Sequence, residues 1–156
     1  MRELKFRAWD EITKKLYAVS GLEFNENGEV CEVYLAGVQI DESNPNANVR
    51  KPSDVILEQY MGEVDDNDKE IAEGDIVQYI GMDEETLIQA TVKYGYPDGY
   101  TNEDGTLYIK GFYFGDCKID DSANLLDGEY EDLCTKVIGN IHENPDLLGA
   151  VDDKEE

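Results

Sequence analysis

Chemistry in this chain would have to come from carboxylates, one histidine and three cysteines. Asp66, Asp68 and Glu70 alternate like the first ligands of an EF-hand loop, but the sixth position is Ile71 instead of glycine and the twelfth is Val77 instead of a bidentate glutamate. A loop begun at Asp120 places Glu131 at the twelfth position, yet puts Leu125 where glycine belongs. Both runs therefore read as solvated acidic turns with weak, unselective divalent binding. Glu73 and Asp75 are spaced for paired-carboxylate acid–base or two-metal work. With Gly74 between them they read instead as a turn entering a strand. His142 is the only histidine, which excludes every site that needs two; next to Glu143 and ahead of Asn144-Pro145 it reads as a cap on the last strand. Cys31, Cys117 and Cys134 match neither a zinc spacing nor a redox dithiol and read as reduced, half-buried apolar residues. Pairing Cys117 or Cys134 with His142 as a nucleophile lacks the local setting of an activated thiol. No catalytic residue, metal ligand or cofactor is assigned.

The aromatic residues offer binding in place of catalysis. Tyr94, Tyr96, Tyr100, Tyr108 and Tyr113 gather around a glycine-rich connection. Some must be core, but Tyr96-Pro97-Asp98-Gly99-Tyr100 reads as a loop, where tyrosine gives large contact area at low entropic cost. Tyr96 and Tyr100 are the candidate interaction residues.

The elements that would position these groups are strands. Leu4, Phe6 and Ala8 alternate with Lys5 and Arg7, the two-residue period of a strand with one apolar face. A turn over 10–13 then leads to Leu16–Val19, making a hairpin. A second hairpin joins Leu22–Phe24 to Val30–Leu35 through Asn27-Gly28, a pair able to take positive φ. Residues 41–53, interrupted by Asn44-Pro45 and Lys51-Pro52, read as a loop. Further strands are expected over 55–60, 74–80, 87–94, 107–114 and 136–141. Short helical turns are expected within 121–133 and at 144–148, where Pro145 stands early. The reading is a mostly β fold with minor α: N-terminal hairpins over about 1–40, an SH3-like barrel or roll over about 55–141, a single domain over 1–150, and a disordered acidic tail at 151–156.

The chain has 156 residues with 37 acidic against 13 basic side chains, a formal charge of -24. Such a field repels phosphate backbones and anionic membranes, so direct nucleic-acid and membrane binding are excluded as expectations. The 40% hydrophobic share and ten tyrosines supply a core that disordered acidic chains lack. No apolar run reaches the length of a membrane span or a signal peptide, so a cytoplasmic location is expected. Residues 1–20 alone are net basic, with five basic against three acidic groups. That polarity is either neutralised within the fold or available to self-assembly.

Three segments together resemble the YopX family: Lys5-Phe6-Arg7-Ala8-Trp9-Asp10; Gln59-Tyr60 with Lys69-Glu70-Ile71 and Glu73-Gly74-Asp75-Ile76-Val77; and Val137-Ile138-Gly139-Asn140-Ile141 with Glu143-Asn144-Pro145. The resemblance spans nearly the whole chain. It implies a small protein encoded in phages and prophages of Gram-positive bacteria, mostly β, self-associating, of unassigned molecular function, with no catalytic residues to carry over. The chain departs from the family pattern at Met61, Asp68 and Tyr94. Without glycine at 68, the turn at 65–69 is expected to place Asn67 in any left-handed conformation. The functional expectation is a non-enzymatic module that binds a host or phage protein, or itself as a homo-oligomer. The alternative is an acidic DNA mimic that inhibits a host nucleic-acid enzyme; a metal-dependent hydrolase using Glu73 and Asp75 is a third class.

Overall fold

The structure, a computed structural model, describes residues 3–80, 87–95, 111–115 and 135–148. Its strands form two antiparallel sheets, with almost no helix. The chain divides into two compact units, residues 1–60 and 61–156, with the boundary inside one strand.

In the first unit, β1 (Phe6–Asp10), β2 (Lys15–Phe24), β3 (Val30–Leu35), β4 (Val49–Arg50) and the first half of β5 (Val55–Val64) are hydrogen-bonded in the order β4-β3-β2-β1-β5. Strand alternation does what the apolar spacing asks of it. Ala8 stands opposite Tyr17 and Leu57, and with Val33, Leu35 and Val55 it forms a buried cluster completed by Val19, Leu22 and Val30. The intervening Arg7 stands opposite Glu58 and forms a buried ion pair with it, Nε to Oε2 at 2.8 Å. Lys14 pairs with Glu11, and the Lys5 ammonium lies 5.0 Å from the Tyr60 ring centre. The basic groups of the first twenty residues that the structure describes are thus engaged inside their own unit, apart from Lys15.

In the second unit, the end of β5 turns into β6 (Glu70–Ala72), and β7 (Asp75–Ile80), β8 (Leu87–Gly95), β9 (Gly111–Gly115) and β10 (Thr135–Asn140) follow in the order β10-β7-β8-β9. Val77, Tyr79, Ile88, Ala90, Val92 and Phe114 share one face and bury together with Ile71. Tyr79 and Phe114 stack with ring centres 5.3 Å apart.

Several expectations need correction. A closed barrel is not formed by the described strands: closure requires both terminal strands to find a second partner, whereas β9 pairs with β8 and β10 with β7 in an open sheet. The loop read over 41–53 contains β4, whose two residues are too few to leave a periodic signal. The hairpin turn at Asn27-Gly28 has positive φ at Gly28 alone. The left-handed residue of the 65–69 turn is Asp68, φ 60°, and not Asn67. Residues 145–148 do form a short 3₁₀ turn; the helical turn expected within 121–133 lies outside the described residues. Among the described residues no helix is long and apolar enough to cross a membrane.

Candidate functional site

Asx side chains at the mouths of turns consume most of the polar groups that the motifs contribute. Asp10, fully buried, accepts from the Ile12 N–H at 3.2 Å, the Thr13 hydroxyl at 2.7 Å, and Arg50 through both Nε and Nη2 at 3.0 Å. Burial alone would push its carboxyl up; the Arg50 guanidinium, then Thr13 and Ile12, outweigh that and hold it below the usual carboxylate range. Arg50 is raised in turn by its bond to Asp10, and its Nη1 donates to the Ala47 and Val49 carbonyls. Asp75 is buried and takes the Ala72 N–H at 2.9 Å, while Gly74 has φ 80°. Asn140 accepts from the His142 and Glu143 N–H groups and donates to the Glu143 carboxylate. The capping residue at the end of β10 is therefore Asn140; His142 is one of the groups it holds. Gly139 is required by close approach, since a Cβ there would sit 2.6 Å from Asn144 Oδ1 and 2.8 Å from Leu147 Cδ1.

Two turns share one design. In 25–29 the Asn25 N–H donates to the Glu29 carbonyl and the Gly28 N–H to the Asn25 carbonyl; in 65–69 Asp65, Lys69 and Asp68 repeat this pattern. The entry side chain accepts from the second and fourth residues after it in both: Asn25 Oδ1 from Asn27 and Glu29, Asp65 Oδ1 from Asn67 and Lys69. Gly28 at φ 77° corresponds to Asp68 at φ 60°. They differ in the second side-chain atom. Asn25 Nδ2 donates to Glu29, whereas Asp65 Oδ2 accepts the Val137 N–H at 2.9 Å, tying the turn to β10. Burial raises the Asp65 carboxyl, but the N–H groups of Val137, Lys69 and Asn67 prevail and lower it. Asp65 was not singled out by the sequence, although its Asx-x-Asn-x-x spacing matches that of Asn25.

A groove of about 770 Å³ in the first unit is lined by β3 (Cys31, Glu32, Tyr34), β4 (Val49, Arg50), the 51–54 turn, Ile12 and Asn46. Glu23 of β2 and Glu32 of β3 stand directly opposite one another. The Tyr34 hydroxyl lies between them, 2.7 Å from Glu32 Oε2 and 3.0 Å from Glu23 Oε2. Its ring lies over Gly21, where a Cβ would contact it at 3.6 Å. Hydrogen bonding to Glu32, then to Glu23, drives the phenol far above its ordinary range, because ionisation would set a third negative charge beside two others. Cys31 is the extra residue of a β-bulge opposite Glu23 and Phe24, and its thiol approaches the Glu23 carbonyl at 3.4 Å.

The sequence candidates fall elsewhere. Tyr96 and Tyr100, with Cys117, Cys134 and the Asp120 loop, lie outside the described residues. Tyr94 is half-exposed and meets Phe112 edge-on at 5.0 Å. Asp66 and Asp68 are exposed members of the β5–β6 turn. No group of three or more potential metal ligands converges among the described residues.

Comparison with known proteins bears on the whole chain. No curated protein matches it by sequence. Among solved structures it is similar to protein EF1440 from Enterococcus faecalis, at 26% identity and a TM-score of 0.54, over 95% of this chain and 99% of that one. It also shares its fold with protein yopX from Bacillus subtilis, at 18% identity and a TM-score of 0.52, over 92% and 96% of the two chains. The family described as YopX protein matches residues 5–149, a span that takes in all three motifs and the turns they build, and the chain belongs to that family.

Proposed function

We propose that this protein is a non-enzymatic interaction module that binds another protein. The observation that carries this reading is the employment of its motif side chains. Asp10, Asp75 and Asn140 are each committed to backbone N–H groups or to a guanidinium, and Asp65, outside the motifs, is committed in the same way, so the motif side chains build a scaffold, and the open groove supplies a surface on it. Engagement of Arg7, Lys14 and Lys5 inside the first unit argues for a partner other than a second copy. The phage or prophage setting, cytoplasmic location and an open SH3-like roll for the β7–β10 sheet belong to the same proposal. Light scattering after size-exclusion chromatography, joined to capture from host lysate by the full chain, tests it. A strict monomer that retains no protein at physiological salt would sink the reading. Displacement of a captured protein by duplex DNA, weakening as salt rises, would transfer it to DNA mimicry.

A further inference from the structure

We infer that the groove of the first unit receives an extended polypeptide segment that places a lysine or arginine at the Glu23–Glu32 pair. This rests on the interaction-module reading and names the partner chemistry. Two like charges directly opposite in a sheet repel, and here a single phenolic proton serves both. A phenol has one O–H and cannot satisfy two carboxylates. Among the described residues neither Glu23 nor Glu32 makes an ion pair. The other cations lining the groove do not meet this pair: Arg50 is committed to Asp10, and Lys51 makes no ion pair with either glutamate among the described residues. An ammonium or guanidinium from outside completes the set through charge-assisted bonds.

The backbone explains why the guest is extended. β4 covers Val33 and Tyr34, and the Leu35 N–H reaches the Asn48 carbonyl. The preceding stretch of β3, Val30–Glu32, has no strand on that side among the described residues. The 52–54 turn lies beside β3 there without pairing to it as a strand; an unpaired strand edge accepts another strand, and this one runs along the groove wall at Cys31 and Glu32. Ile12, 64% exposed at the rim, offers apolar contact to a neighbouring side chain of the guest.

The probe is acetyl-(Val-Arg)₃-amide, whose alternation puts arginine on one strand face, with acetyl-(Val-Gln)₃-amide as the neutral control. Amide shifts of the full ¹⁵N-labelled chain should move saturably at 31–34 and 49–54 with the arginine peptide. Glu23→Gln/Glu32→Gln should weaken binding about tenfold or more, on the scale of one or two charge-assisted bonds. Glu26→Gln/Glu29→Gln, which removes the same charge from the adjacent turn, should weaken it less than about twofold by loss of long-range attraction alone. Equal losses in the two double variants, equal binding of the glutamine peptide, or shifts centred elsewhere would each overturn the groove assignment. A natural partner retained equally by wild type and Glu23→Gln/Glu32→Gln would also overturn it while leaving the module reading intact.

Discussion

Replacing Asp65 by asparagine isolates one atom. The new amide keeps an oxygen for the N–H groups of Asn67 and Lys69, now at 2.8 and 2.9 Å, but must turn its NH₂ toward the Val137 N–H. Two donors then face each other where a carboxylate oxygen accepted at 2.9 Å. Leaving that part-buried N–H unmatched costs about 1–2 kcal/mol. Losing the charge on the two remaining bonds costs roughly 0.5 kcal/mol each. The sum of about 2–3 kcal/mol corresponds to roughly 30- to 150-fold faster exchange of β10 and β7 amides when exchange follows opening. Hydrogen exchange read by NMR at Val137 and Val77 measures this directly, whereas the single tryptophan, Trp9, reports only the first unit.

The pH dependence supplies a second arm. Asp65 is held below the carboxylate range in the folded chain, so the unfolded chain binds a proton first as pH falls. Its contribution is present above the unfolded value of about 3.9 and is lost as pH drops through the folded value. The gap between wild type and Asp65→Asn should be full near neutrality and close below about pH 4. The reverse exchange in the twin turn, Asn25→Asp, replaces an exposed bond to Glu29 by an exposed, solvent-screened carboxylate–carboxylate contact and should lower stability by no more than about 1 kcal/mol. Wild-type exchange at Val137 in Asp65→Asn, within about threefold from pH 5 to 8, would refute the account of this turn.

Other outcomes follow from the same geometry. Asp68→Gly relieves a left-handed residue at φ 60° and should raise stability by up to about 1 kcal/mol, offset in part by unfolded-chain entropy, as denaturation with urea would show. Gly139→Ala forces a Cβ against Asn144 and Leu147 and should cost about 1–3 kcal/mol, read as earlier loss of β10 amide protection. The Thr91 hydroxyl is buried and has no hydrogen-bond partner among the described residues. Thr91→Val should therefore raise the melting temperature, by the equivalent of about 1–2 kcal/mol. In an alkaline absorbance titration, Tyr34→Phe should remove a phenol that ionises well above the ordinary tyrosine range; removal of one that ionises within that range would contradict the Glu23–Tyr34–Glu32 geometry. Because its folded pKa is raised, that phenol's contribution is present below about pH 10 and fades above it.

Much of the scaffold was legible in residue order. Alternation at Leu4–Ala8 marked β1, the Asn25–Gly28 run marked a hairpin, and Pro145 marked a helical turn, because strand period, turn preference and proline's fixed φ act within a few residues. The three motifs were sufficient to name the family. Their roles were not legible, since a carboxylate that takes a metal and one that caps a turn share the same letter. The partners that separate them lie far along the chain: Arg50 is 40 residues from Asp10, and Val137 is 72 residues from Asp65. Register decided the rest. Only the pairing of β2 with β3, shifted by the bulge at Cys31, sets Glu23 against Glu32 with Tyr34 between them. Moving one residue along a strand reverses the face on which a side chain stands. The sequence by itself determined strands, turns and family; tertiary pairing decided which carboxylates are spent inside the fold and which remain at its surface.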